Sequence, residues 1–401
     1  MEQGGADPDD AAHRASGREH LARARALAKL IAGFADRIEE ERRLPEPLLA
    51  ALLEAGLYRL LLPRACAGGE IDPVNFVEII ETVAKADAST AWCLCQAAGC
   101  SLVAAFLPPE AAATIFGRDP NAILAWGPGP GRAVAVAGGY RVTGKWSFAS
   151  GGRHASWLGG IASVVETDGT PRRDAAGAPV IRTMLFPAAQ AVMTDIWQVI
   201  GLRGTGSDAF AVTDLFVPAE FSVARDDQAE RREAGPLYCF PTGSFYAAGF
   251  AGVALGLARS TLDAFIALAT EKTPRGFKST LRENAVIQSQ VAQAEARLAS
   301  ARIFLTHSLA EIWRDVVREN RLSVAQRMRI RLAATYAIGE ATSVVDTAYH
   351  AAGATAIFAS NPFERRFRDI HTVAQQLQGR ASHFETVGQF LLGLEPDVQF
   401  L

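Results

Sequence analysis

The chain has no excess of either charge, no framework of cysteines and no leader-like start, and each absence removes a class of function. Its 40 Lys and Arg stand against 43 Asp and Glu, and a net charge of −3 gives no general attraction to phosphate backbones or anionic membranes. Neither nucleic acid nor membrane is expected as a partner. Five cysteines, Cys66, Cys93, Cys95, Cys100 and Cys239, are an odd number without framework spacing. Three of them lie in an apolar run with no nearby histidine, which reads as buried thiols rather than a metal site. No apolar run approaches the roughly 20 residues that cross a bilayer, and residues 1–10 are acidic where a signal peptide is basic and then apolar. A cytoplasmic globular protein is expected.

What is present is enough apolar material for a large core: 401 residues, 49% hydrophobic and 21% charged, divisible into two or three domains. Residues 1–17 are short of apolar side chains and read as a disordered tail. Leu21, Ala24, Leu27, Leu30, Ile31, Phe34 and Ile38 recur at three- and four-residue steps, one buried face of a helix over 20–42. A second helix is predicted over 45–55. A third starts behind Asp72-Pro73, where the carboxylate caps and the proline presets φ, and a nearly all-apolar helix covers 89–106. These form an N-terminal helical domain, 18–118.

From 119 to 230 the texture turns to short strands separated by Gly, Pro and Asp, with no helical pattern between them, which implies an antiparallel barrel or sandwich. Its sharpest signals lie at the two ends of 133–218. Residues 133–137 and Tyr140-Arg-Val-Thr-Gly-Lys-Trp146 read as strands joined at Gly138-Gly139, since adjacent glycines supply the positive φ of a tight hairpin. The second strand runs into Trp146-Ser-Phe-Ala-Ser-Gly151. At the other end Gly201-Leu-Arg-Gly-Thr-Gly-Ser-Asp208 is a polar glycine loop before a strand over 210–218. Neither glycine segment opens a helix and the spacing of Gly201, Gly204 and Gly206 is wrong for a dinucleotide fingerprint, so a Rossmann nucleotide domain is not expected. Long helices over 244–269, 281–317, 323–351 and 368–392 then make a four-helix bundle within 231–401. The helices over 244–269 and 330–351 look too apolar for one chain to cover, which predicts a homo-oligomer.

The order helical domain, β domain, helical bundle, together with Leu62-Pro63 and Gly68-Gly69, Asp87-Ala-Ser-Thr-Ala-Trp92, Trp146-Ser-Phe-Ala-Ser-Gly151, Gly201-Leu-Arg-Gly-Thr-Gly-Ser-Asp208 and Arg366-Phe-Arg-Asp369, resembles the acyl-CoA dehydrogenase superfamily. Within it the chain looks most like the oxygenase components of two-component aromatic hydroxylases, over nearly all of its length after about residue 25. The resemblance implies a flavin, FMN or FAD, between the β domain and the C-terminal helices, delivered reduced by a separate reductase and used with O2 on a small aromatic or electron-rich substrate. It further implies a homotetramer. Trp146, Phe148, Ala149 and Ser150 would run beside the ring, with Ser150 bonding its N5 or O4. Thr205, Gly206 and Ser207 would contact flavin or substrate and Arg203 a phosphate, or the loop is structural and capped by Asp208. Arg275 and Phe277 fall where dehydrogenases of the superfamily reach a neighbouring subunit's cofactor.

The C-terminal helix carries the chemical distinction. Thr372-Val-Ala-Gln-Gln-Leu-Gln-Gly379 has no carboxylate to take a proton beside a thioester, and glutamine cannot act as that base. Where the monooxygenase branch often has histidine this chain has Gln376. His371 and Gln375 share a helical face that could line the pocket, or His371 is an interior histidine satisfied by Asp369 or by backbone. His154 lies within reach of a ligand or packs at the surface of the β domain. Trp92 and Trp126 form a pocket wall or fill core. The alternatives to a monooxygenase are an acyl-CoA dehydrogenase or oxidase with its base from elsewhere, and a non-catalytic ligand-binding member of the fold.

Overall fold

The structure, a computed structural model, describes residues 8–396. Helix α1 (Pro8–Gly33) begins ten residues before the predicted start of the domain, so 8–17 are helical rather than disordered; residues 1–7 lie outside the described residues. The anchors are polar and aromatic, which is why apolar periodicity missed them. Asp10 accepts from Trp313 Nε1 at 2.7 Å, the His13 ring lies 5.3 Å from the Trp313 ring, and Ser16 Oγ donates to Gly69 O at 2.8 Å. The predicted helix over 20–42 breaks at Phe34 into α1 and α2 (Ala35–Glu41).

Next come α3 (Glu46–Glu54), α4 (Pro73–Ala86), α5 (Ala88–Ser101) and α6 (Pro109–Ala112). Asp72 Oδ1 caps α4 by accepting from Val74 N at 3.0 Å and Asn75 N at 3.1 Å. Asp72→Ala should lower stability by ~1 kcal/mol in a urea titration, since those amides lose their acceptor; no change would show that water replaces the cap.

The β block is a single sheet in the order β6-β7-β3-β2-β4-β5-β8, with β1 (Leu124–Gly127) added on β4. Its strands are β2 (Gly131–Val136), β3 (Gly139–Ala149), β4 (Trp157–Val165), β5 (Ile181–Pro187), β6 (Val192–Thr194), β7 (Asp208–Pro218) and β8 (Ser222–Val223). The sheet is not wholly antiparallel as expected: β2 and β1 both run parallel to β4. Strand β6 covers only three residues. Residues 195–207 are a loop with only a short 3-10 turn at Arg203–Thr205.

The C-terminal block is α7 (Thr242–Glu271), α8 (Ala285–Glu319), α9 (Val324–Ala352), α10 (Phe363–Gln375) and α11 (Ser382–Leu391). Small residues let α7 sink between its neighbours: a Cβ at Gly256 would stand 2.3 Å from Glu81 O, and one at Gly249 2.4 Å from Cys95 Sγ. Contrary to expectation, α7 and α9 are covered within one chain. Two stretches, Ala88–Ala105 and Thr242–Glu271, are apolar enough to cross a bilayer by length and composition, correcting the estimate that none comes close. The first is wholly buried in the fold and most of the second is too.

Candidate active site

Three segments meet where the blocks join. The first is the end of β3. Trp146 is fully buried, donates Nε1 to Ile161 O at 2.9 Å and stacks on Phe210 at 5.1 Å. Gly131, Gly144 and Gly160 lie against its ring, so Trp146 fills the sheet's core instead of facing a cofactor as expected. Between Trp146 and Ala149 the register against β7 slips: three residues of β3 advance against two of β7. The bulge falls on Phe148, held at φ +59°, a conformation unfavourable for a bulky L-residue. Its ring is thrown outward, 59% exposed, and meets Trp197 edge-on at 6.0 Å. Strain at a site that displays an apolar ring is characteristic of a ligand surface.

The second segment is the loop 195–207. Gly201 is pressed on α10 so closely that a Cβ would stand 2.2 Å from Arg368 O. Leu202, at φ +50°, donates its N–H to Asp369 Oδ1 at 2.6 Å. Gly204 sits against Ile38 of α2 and Ser89 of α5. Asp195 is gripped by Arg42 at 2.6 Å and by Arg153 at 3.1 Å, and Arg153 also holds Asp208 at 2.7 Å. Arg203 lies 3.6 Å from Glu39 of α2, which supplies the partner expected to be a phosphate, although its buried Nε makes no hydrogen bond. The loop thus locks α2, α5, β7 and α10 together.

The third segment is the face of α5. Trp92 Nε1 donates to Ser150 Oγ at 3.0 Å; Ser150 Oγ lies 2.6 Å from Ser207 Oγ, which lies 2.7 Å from Thr205 Oγ1, which donates to Leu202 O at 2.8 Å. All four side chains are buried. The Trp92 ring stacks on Phe250 at 3.8 Å, and one turn along α5 Gln96 Nε2 donates to Trp126 O at 3.3 Å. Arg225 lies over the Trp126 ring at 4.5 Å. Sequence reasoning missed Gln96, Phe250 and Arg225. The signal for Gln96 was a single amide, one turn from Trp92, in an otherwise apolar helix.

The structure gives the other expected residues surroundings of their own. His371 Nε2 lies 2.9 Å from Asp346 Oδ1 on α9, with its ring 4.4 Å from Phe367, so it faces the bundle. The carboxylate is Asp346, not Asp369. Helix α10 ends at Gln375, which is exposed, and the predicted continuation to residue 379 is a 3-10 turn that starts after Gln376. Gln376 Oε1 accepts from Gln378 N at 3.0 Å, while its buried Nε2 has no partner. His154 is taken by the Leu44 backbone, with Nε2 3.1 Å from Leu44 N, and burial first, with Arg43 second, pulls its pKa down to about 4. It is a neutral clamp between the β block and the connection from α2 to α3. Arg275 and Phe277 are exposed on the connection between α7 and α8.

Asp369 is a buried titratable group that ties the loop to α10, and sequence reasoning gave it no such part. Burial is the main cause that pushes its carboxyl up to about 7; Asp87 and Glu39 push the same way, against the Leu202 N–H and Arg368. Among the described residues no group of three or more His, Cys, Asp or Glu could hold a metal.

These residues fit a flavin. Its isoalloxazine is a flat apolar ring with a polar edge. Phe148 of β3, Met193 of β6 and Ile196 and Ile200 of the loop after β6 are exposed apolar side chains, an apolar rim in sequence around the site; a Cβ on Gly152 would touch Met193 at 3.5 Å, and Ser150 lies two residues from Phe148.

Comparison with known proteins agrees. The family models described as acyl-CoA dehydrogenase, N-terminal domain, and acyl-CoA dehydrogenase, C-terminal domain, match residues 18–113 and 248–378. The chain is 30% identical over 391 residues to an indole-3-acetate monooxygenase of Pseudomonas putida, covering 96% of this chain and 97% of that one. It is 29% identical over 356 residues to the flavin-dependent monooxygenase, oxygenase subunit HsaA, of Rhodococcus jostii, covering 86% and 91%. Among solved structures, XiaF from Streptomyces sp. in complex with FADH2 and glycerol superposes with a TM-score of 0.87 at 26% identity, over 96% of this chain and 98% of that one. The sheet clamped between two helical blocks and the rim at Phe148 and Ser150 therefore have their explanation in ancestry: the chain belongs to the acyl-CoA dehydrogenase superfamily, in its branch of flavin-dependent monooxygenase oxygenase components.

Proposed function

We propose that the protein takes reduced flavin, FMN or FAD, from a separate reductase and uses it with O2 to hydroxylate an aromatic or other electron-rich small molecule. Bound reduced flavin supplies the two electrons that activate O2. The chain's own residues supply the rest. Ser150 bonds the ring's polar edge, Phe148 and the apolar rim hold its face, and the stacked Trp92 and Phe250 with Trp126 keep water from the reacting side. Gln376 Nε2, buried without a partner, is a donor available to substrate or flavin.

The observation that carries the monooxygenase reading over a dehydrogenase is the state of α10 and its end. No Asp or Glu occurs from 370 to 384, and Asp369 itself is buried, with its carboxylate accepting from Leu202 N at 2.6 Å. Proton abstraction beside a thioester has no base there, whereas O2 activation by reduced flavin requires none from the protein.

The test is oxygenation in 18O2 with chemically reduced flavin and a panel of phenols and indoles. One 18O per product molecule is expected; oxidation of acyl-CoA thioesters without oxygen incorporation would overturn the reading.

The cytoplasm and a homotetramer complete the proposal. Apolar side chains left exposed at Val286 and Ile303 of α8 and at Leu391 and Leu392 favour contacts between copies. Arg275 and Phe277 would then reach a neighbour's cofactor. Sedimentation should give four chains, and a monomer at micromolar concentration would contradict it.

A further inference from the structure

The buried hydroxyls between Trp92 and Leu202 form a chain whose proton direction can be deduced. An indole N–H only donates, so Trp92 donates to Ser150 Oγ at 3.0 Å. A carbonyl only accepts, so Thr205 Oγ1 gives its proton to Leu202 O at 2.8 Å. A hydroxyl has a single proton. Thr205 must therefore accept across its 2.7 Å contact with Ser207, and Ser207 gives its proton there. It follows that Ser150 gives its own proton to Ser207 across 2.6 Å. The Ser150 hydroxyl is left with no donor, one lone pair facing Trp92 and one lone pair unused.

We propose that Trp92, Ser207 and Thr205 are positioning residues that fix Ser150 as a hydrogen-bond acceptor, so that the site selects the reduced flavin. Two-electron-reduced flavin carries a hydrogen on N5, which the remaining Ser150 lone pair accepts. Oxidised flavin presents a bare N5 lone pair, and against the same oxygen the contact is repulsive. Turning Ser150 round to donate would leave the Ser207 oxygen without its donor, or, if Ser207 turned to follow, the Thr205 oxygen without one, in a buried place where an unmade hydrogen bond is expensive. Selection is therefore a property of the chain behind Ser150 and not of Ser150 alone.

This rests on the flavin reading above, and binding measured without turnover separates the two. Dissociation constants are measured for reduced flavin under anaerobic conditions and for oxidised flavin in air, on the full-length protein. Ser207→Ala removes the acceptor of the Ser150 proton and frees it to point at N5. It should tighten oxidised flavin and narrow the affinity ratio by at least about fivefold, the worth of one ordinary hydrogen bond. Thr205→Val leaves the Ser207 proton without its acceptor and should narrow the ratio in the same direction, and Ser207→Thr should restore it. Ser150→Ala should narrow the ratio by weakening reduced flavin instead.

A merely structural chain would weaken both oxidation states alike, and that result in Ser207→Ala and Thr205→Val overturns the proposal while the flavin reading stands. Wild-type protein that binds neither oxidation state overturns both.

Discussion

Gly201→Ala should cost the protein its grip on reduced flavin, with affinity falling more than about tenfold and stability by ~2 kcal/mol. The added Cβ would stand 2.2 Å from Arg368 O and 2.5 Å from Arg368 C, backbone atoms of α10 that cannot turn aside. The loop must lift, and the 2.6 Å bond from Leu202 N to Asp369 then lengthens or breaks. Leu202 O is also the end of the hydroxyl chain that starts at Trp92, so the displacement carries to Ser150. Gly339→Ala is the control: a Cβ there meets nothing within 4 Å, and alanine in mid-helix should leave binding unchanged and stability equal or higher. Anaerobic titration and thermal unfolding of the two variants decide the matter. Equal affinities would mean that the contact between loop and α10 does not position the site.

Asp369→Asn should stabilise the protein at pH 8. The Asp369 carboxyl, pushed up to about 7 from an ordinary 3.8 chiefly by burial, binds its proton more tightly folded than unfolded. Between about pH 4 and 7 the folded chain therefore holds more of this proton than the unfolded chain does. Stability from this group falls as pH rises through that window. Above it the fold carries a buried anion beside Asp87 and Glu39, at a cost on the order of 4 kcal/mol. Asparagine keeps an oxygen for Leu202 N and carries no charge. Arg368 retains Glu364 at 2.9 Å and Glu39 at 2.8 Å. The variant's melting point should match the wild type near pH 4 and exceed it at pH 8. A wild type more stable at pH 8 would show that the anion is better compensated than this arrangement implies.

How far the sequence spoke for itself depended on whether a feature was local. Asp72 before Pro73 announced its cap, and Gly138-Gly139 its turn, because neighbouring residues decide both. Ser150, Thr205 and Ser207 were legible as small polar residues in glycine segments. Their junction, with Trp92 completing it from α5, needed the N-terminal helices and the β block to close together. The errors followed the same rule. Residues 8–17 looked structureless because Asp10 and Ser16 make their contacts far along the chain, with Trp313 and Gly69. Trp146 looked like a cofactor wall until the glycines of β2, β3 and β4 were seen to leave a slot for its ring. His371 and Gln375 share a helical face on paper, yet Asp346 draws the histidine toward α9 and the helix stops at Gln375. The parallel pairing of β1 and β2 with β4 left no mark in alternation, since a strand's pattern is the same in either direction.

A crystal structure of the protein grown with reduced flavin tests the account most directly. The ring should lie along Phe148 with its N5 within 3.2 Å of Ser150 Oγ, bounded by the loop 196–207, as expected for an ordinary N–H···O bond of about 2.9 Å. A flavin bound elsewhere, or a Ser150 sealed from it by protein, would contradict it.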